Sequence, residues 1–221
     1  RALGELSAAQ PAAVAALVPV IIPAASYAVS DAKPDVKAAA MAALDAVAKT
    51  IGNADLDAFI PALVSCIARP DEVPECVHKL GATTFVQAVE APTLALMVPL
   101  LLRGLRERQT AVRRKAALIT DNMAKLVDSP LDAAVFLPRL LPDVRKMAAE
   151  VSDPEARNVA ERTVKTLVSV GAEGDISQLA DKYKPADPVA TKAALVKALA
   201  DAGVDAAACP GVAAVVEYAA A

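Results

Sequence analysis

Three kinds of residue in this chain have the chemistry to do more than fold: one histidine, three cysteines and a run of closely spaced cations. The histidine, His78, stands in Glu75-Cys76-Val77-His78-Lys79. A cysteine and a histidine that face each other can share a metal ion or act as nucleophile and base. Two positions apart on a helix they lie on different faces and do neither, so His78 is expected to be packed or half-exposed. Cys66, Cys76 and Cys209 are odd in number and show no CxxC spacing. They read as small buried hydrophobes in a reducing compartment. No glycine is followed by the Lys-Ser/Thr of a phosphate loop, and no GxGxxG occurs. The paired acids Asp55 with Asp57, and Asp71 with Glu72, fall in turns where helix capping is their expected role. These residue types offer no catalytic, cofactor-binding or metal-ligating set.

The cations are the stronger signal. Arg103, Arg106, Arg108, Arg113, Arg114 and Lys115 face only Glu107 within their own stretch, a local charge of +5 in a chain of net charge −3. Arginine forks suit phosphates and acidic protein surfaces. No aromatic interleaves with them, which leaves phosphate contact and excludes base stacking as the nucleic-acid mode. The competing reading is a solvated surface whose cations pair with helix ends; Arg103 and Arg106 near a helix C-terminus would satisfy the dipole there.

Such a cluster needs elements to position it, and the composition points to helices. The 221 residues are 56% apolar and 22% charged, with eight glycines, three Phe, three Tyr and no Trp. The mean hydropathy is +0.41 and the isoelectric point about 5.3. Much of the apolar content is alanine, the best helix former and a poor filler of a deep core. Many small helix–helix contacts are expected instead of one centre. Leu6 to Ser30 carries no charge. Its two prolines, Pro19 and Pro23, and its alanine content favour a buried repeat helix over a membrane span.

Four segments share one plan. Each opens with an apolar helix carrying proline: Leu17-Val18-Pro19-Val20, Phe59-Ile60-Pro61-Ala62-Leu63, Met97-Val98-Pro99-Leu100-Leu101 and Phe136-Leu137-Pro138-Arg139-Leu140. A polar or proline-bearing turn follows, then a second amphipathic helix. The second helices are placed from about positions 37, 78, 113 and 157, a mean spacing of 40 residues, within the roughly 40–47 of HEAT repeats. Proline in each first helix is expected to bend it over its neighbour. Lys37 is expected to reach Asp31, and Arg157 to reach Asp153, as rungs of a ladder along the stack. The reading is all-α: a HEAT-repeat, armadillo-like α-solenoid over 1–172. Repeat turns line one edge of a solenoid, which would make 103–115 an exposed basic ridge.

The pattern fades at Gly171-Ala-Glu-Gly174-Asp175. Residues 173–221 hold seven acids against four lysines, a linker at Lys184-Pro185-Ala186-Asp187-Pro188, and two short helices expected at about 189–202 and 212–221. The first residue is Arg1, not Met, which suggests a processed chain or a piece of a longer one.

Several runs resemble the translation elongation factor 3 family, the fungal-type ABC ATPases of the ribosome. They are Asp71-Glu-Val-Pro-Glu-Cys-Val-His-Lys-Leu-Gly-Ala-Thr-Thr-Phe-Val-Gln87, Ala91-Pro-Thr-Leu-Ala-Leu-Met-Val-Pro-Leu-Leu-Leu-Arg-Gly-Leu105, Lys115-Ala-Ala-Leu-Ile-Thr-Asp-Asn-Met-Ala-Lys-Leu-Val127 and Asp153-Pro-Glu-Ala-Arg-Asn-Val159. The resemblance is dense from 59 to 170, and Val215-Val-Glu-Tyr-Ala-Ala220 is similar to the stretch leading into the family's four-helix bundle. It implies the back of a HEAT array over 1–172 and a linker with the start of the bundle over 173–221. It implies a cytoplasmic protein whose full-length form uses ATP to help deacylated tRNA leave the ribosomal E site. ATP and Mg belong to ABC domains outside this segment, which is itself expected to be no enzyme and to hold no cofactor. The implied partners are rRNA and ribosomal proteins, with no small-molecule substrate, no membrane and a monomeric state. Arg103, Arg106, Arg108, Arg113, Arg114 and Lys115 are the candidate ribosome contacts. The large HEAT activator of the amino-acid-starvation kinase has a related, less close region, so a regulatory scaffold on the ribosome is an alternative. A generic HEAT adaptor for other proteins is a third.

Overall fold

The computed structural model describes residues 2–170 except 130, 131 and 134, and among the described residues there is no strand. The segment 173–221, with its expected linker and bundle helices, and Cys209 lie outside the described residues. The helices are α1 (Ala2–Ala9), α2 (Pro11–Ala28), α3 (Pro34–Ala48), α4 (Ile60–Ala68), α5 (Val73–Leu80), α6 (Ala91–Leu105), α7 (Thr110–Ala124), α8 (Leu137–Glu150) and α9 (Pro154–Ser169). Short 3₁₀ turns, Asp57–Phe59 and Pro70–Glu72, lead into α4 and α5.

Proline starts most of these helices. It occupies the first or second position of α2, α3, α4, α5, α6, α8 and α9. There the missing N–H has no partner to lose and the fixed φ is already helical. The expectation that proline bends every first helix is thereby corrected. Pro61 and Pro138 open α4 and α8, whereas Pro19, Pro23, Pro99 and Pro142 lie inside helices.

Among the described residues the helices form four consecutive pairs, α2/α3, α4/α5, α6/α7 and α8/α9, and the second member of each begins at Pro34, Val73, Thr110 or Pro154. In the second pair this is earlier than the expected start near 78, because the Pro70–Glu72 turn runs straight into α5. Pair packs on pair: α6 touches α4 and α8, and α7 touches α5 and α9. The second pair is short, nine and eight residues against fifteen in α3, and α2 packs directly on α6. Where α5, α6 and α7 meet, Gly104 is required by space. A Cβ there would lie 2.9 Å from the Ala116 Cβ and 3.2 Å from the Val77 Cγ2.

The core has no single centre. Leu44, Leu63, Leu80, Met97, Leu101, Ile119, Met123, Leu141 and Met147 are fully buried and run from the first pair to the last. Helix α2 has the length and composition to cross a membrane, yet it buries Val14, Val18 and Ile22 against the core while leaving Leu17 50%, Val20 70% and Tyr27 87% exposed. It is thus a helix buried along one stripe, not the wholly buried one expected. The i, i+4, i+8 positions face inward and the positions between them face out.

Candidate binding surface

The end of α6, the turn after it and the first turns of α7 carry the six cations, and each has a definite position. Arg103 turns inward: its guanidinium donates to the carbonyls of Cys66 and Ile67, the Ile67 contacts at 3.2 Å. It thereby satisfies the otherwise unpartnered carbonyls at the C-terminus of α4. Arg113 does the same for α6, its Nε donating to the Leu105 carbonyl at 3.2 Å. Arg106 grips Asp143 of α8 through Nε at 2.9 Å and Nη2 at 2.8 Å. Arg114 pairs with Glu155 of α9. Lys115 Nζ donates to His78 Nδ1 of α5. Arg108 is exposed, and its side chain makes no ion pair among the described residues.

Of the six cations of the expected exposed ridge, five have partners in the fold and Arg108 is open. The partners explain why a linear reading missed this. Arg103 and Cys66, Arg106 and Asp143, and Lys115 and His78 are each 37 residues apart, close to one repeat. The cations reach corresponding places on neighbouring pairs. Partnering does not hide them all, since the Arg106 side chain stays 66% exposed.

The ladder expected within repeats is replaced by other bonds. Asp31 accepts from the Lys33 N–H at 2.8 Å. Asp153 caps α9 by accepting from the Ala156 N–H at 2.7 Å, while Arg157 donates to the Val151 carbonyl at 2.9 Å. The expected caps at Asp55 and Glu72 are also replaced. Asp55 accepts from the backbone N–H groups of Val86 and Gln87 at 2.7 and 2.8 Å and fastens the connection between α5 and α6. Glu72 accepts from the Ser65 hydroxyl at 2.7 Å and pairs with Arg69. Cys76 is buried and His78 exposed, so the two do not converge.

Two features escaped sequence reasoning. The first is an outward row on α8, where Arg139 and Lys146 are exposed and flank Asp143 at i−4 and i+3. Arg106 neutralises Asp143, so the α8 row presents Arg139 and Lys146 as exposed cations, as the α6–α7 turn presents Arg108. The signal was helical periodicity in a stretch where the cations are not contiguous. The second is Asp121 of α7, fully buried in the α7–α9 interface. Its Oδ2 accepts from Lys125 at 2.7 Å and Arg162 at 3.1 Å, and its Oδ1 from the Thr166 hydroxyl at 2.6 Å. Burial pushes its pKa up; the hydrogen bonds from Lys125 and Thr166 and the charges of Lys125 and Arg162 outweigh burial and hold it below the ordinary value. Among the described residues no group of three or more His, Cys, Asp or Glu is placed to hold a metal ion. A small apolar cavity of about 20 Å³ lies between α6, α7, α8 and α9, and an open groove of about 520 Å³ lies between α2 and the start of α6, lined by Ala12, Ala15, Ala16, Glu90, Asp128 and Asp132.

Against this geometry the comparisons with known proteins are specific. Residues 72–178 match the family described as Elongation factor 3/GNC1 HEAT repeat. Elongation factor 3 of Phytophthora infestans is 54% identical over 132 residues, 60% of this chain and 13% of that protein. Elongation factor 3B of Saccharomyces cerevisiae is 50% identical over 151 residues, 68% of this chain and 14% of that protein. Elongation factor 3 of Pneumocystis carinii is 47% identical over 156 residues, 70% of this chain and 15% of that protein. The chain thus spans only a small fraction of the length of the curated relatives it matches. Through residues 72–178, just under half of its length, the chain is thus similar to the HEAT-repeat region that defines the elongation factor 3/GNC1 family.

Proposed function

We propose that this chain is a ribosome-docking scaffold segment of an elongation factor 3-like protein, working in the cytoplasm as a monomer and doing no chemistry itself. In the whole protein, ABC domains elsewhere in the sequence would use ATP and Mg to promote release of tRNA from the E site. The observation that carries this reading is identity near 50% to several elongation factor 3 proteins through the stretch that builds the array. The geometry supports it by what it offers: exposed cations, Arg106, Arg108, Arg139 and Lys146, on a stack of paired helices. The linker and bundle segment, 173–221, is proposed as a separate unit on the strength of its composition.

The docking surface combines the α6–α7 turn with the outer face of α8. Arg108, Arg139 and Lys146 contact rRNA phosphates, and Arg106, exposed beside Asp143, adds to the local field. Arg103 and Arg113 serve chiefly to lock helix ends, and Arg114 and Lys115 tie α7 to its neighbours. Charge reversal at Arg108, Arg139 and Lys146 together should weaken co-sedimentation with ribosomes by at least about tenfold, and wild-type binding should fall steeply with salt. Unchanged binding in a triple variant with a wild-type circular dichroism spectrum would exclude this surface.

A further inference from the structure

The two ends of α6 carry opposite charge. Its C-terminal end leads into the cations described above. Its N-terminal end borders the open groove of about 520 Å³ beside α2. A second opening of about 280 Å³ adjoins that groove, sharing Ala88 and Glu90 with it and lined also by Thr93. With 15 residues in α6, about 22 Å of helix separates the two ends.

Several features of the groove serve no packing purpose. Glu90, at the N-cap of α6, and Asp128 and Asp132, between α7 and α8, line it with carboxylates. None of these side chains makes a hydrogen bond or ion pair among the described residues. The helix dipole accounts for Glu90 at an N-terminus but not for Asp128, which follows the C-terminal end of α7, where a cation is favoured. Thr93 is 3% exposed, and its hydroxyl also makes no hydrogen bond among the described residues. Every fully buried side-chain nitrogen or oxygen among them has a partner, so this hydroxyl opens on the space it lines and is left for an incoming group. The wall opposite is Ala12, Ala15 and Ala16, one face of α2 whose short side chains leave the space open. The floor is fixed from both sides: Asn53 Nδ2 donates to the Ala88 carbonyl at 3.3 Å, and the Val89 N–H donates to the Leu126 carbonyl at 2.9 Å.

We propose that this groove binds a lysine- and arginine-bearing polypeptide segment of a partner protein. The carboxylates do not converge to hold a metal ion. Separated carboxylates match cations that are separated along a chain. The cations of the segment pair with Glu90, Asp128 and Asp132, its backbone bonds to the Thr93 hydroxyl, and the small side chains between its cations lie on the α2 alanines. The site is distinct from the phosphate-docking cations: it has the opposite charge, repels RNA, and lies at the other end of α6.

The test uses the full chain and a fluorescein-labelled peptide of alternating lysine and alanine, read by fluorescence anisotropy at physiological ionic strength. Binding to the wild-type chain should saturate; its absence would overturn the proposal. Glu90→Gln, Asp128→Asn and Asp132→Asn together should weaken binding at least about tenfold. Neutralising the exposed acids Asp35, Asp57 and Glu161 in the same way should change it by less than about twofold. Equal losses in the two triple variants would mean charge attraction without a site. Ala16→Phe fills the groove while keeping every carboxylate, and should weaken binding at least about fivefold; an unchanged affinity would exclude the groove. Spermine offers cations without a peptide backbone. It should displace the label only at concentrations at least about tenfold above those of unlabelled peptide, and displacement at equal concentration would overturn a polypeptide as the occupant. If Ala16→Phe lacks a wild-type circular dichroism spectrum, the comparison of the two triple variants decides the matter.

Discussion

Asp121 shows what a single residue does in a stacked array. It is the one charged side chain fully buried among the described residues, and its three partners are Lys125, just after α7, and Arg162 and Thr166 of the next pair's α9. Removing one side of a buried ion pair leaves the other uncompensated. Asp121→Asn is expected to destabilise the fold by about 2 kcal/mol, at the low end because Lys125 and Arg162 are half in solvent. Urea denaturation measures this. The pH dependence has a definite sign. A carboxylate held below its unfolded value contributes stability above the ordinary carboxylate range and loses it as pH falls through its lowered value. Wild-type stability should therefore drop on acidification below about pH 4, and the Asn variant should show a shallower acid limb. An equal acid slope in the two proteins would show that Asp121 is not the linked group.

At the scale of the element, close approach and helix phase decide. Gly104→Ala puts a methyl group 2.9 Å from Ala116 where three helices meet, and should cost about 1–3 kcal/mol. Most glycine-to-alanine changes in a helix gain stability, so a stabilised variant would contradict the packing described for α5, α6 and α7. The phase of α2 predicts a contrast between residues two apart. Val18→Ala should cost about 2 kcal/mol, because Val18 is fully buried. Val20→Ala should change stability by less than about 0.5 kcal/mol, because Val20 is mostly exposed. Thermal unfolding of the two variants checks this, and equal costs would mean that α2 is buried on both faces.

Over the whole molecule, stability should behave as a sum over neighbouring pairs. Arg103 ties α6 to α4, and Asp121 ties α7 to α9, with no partner in common. Arg103→Ala should cost about 1–2 kcal/mol by freeing the carbonyls at the end of α4. Combined with Asp121→Asn, its effect should add within about 0.5 kcal/mol. A larger coupling would point to one cooperative core in place of a stack. The same organisation leaves Arg108, in the α6–α7 turn, and Lys146, on α8, exposed while the helices beside them pack on their neighbours.

The sequence by itself determined the helices, the pairing of helices and the period near forty residues, because these follow from local signals: proline at helix starts, alanine-rich apolar stripes and polar turns. It also carried the resemblance to the elongation factor 3 family, through the unbroken runs at 71–87, 91–105 and 115–127. Only the tertiary structure decided which cations stay open. Charge within a linear stretch counts Arg106 and Arg114 as free, whereas stacking brings Asp143 and Glu155 from the following pair against them. It likewise set Asp55 on the distant backbone of Val86 and Gln87. The reason is physical: Coulomb attraction and hydrogen bonds act across a few ångströms of space, and in a repeat array the nearest neighbour in space is commonly one whole repeat away along the chain.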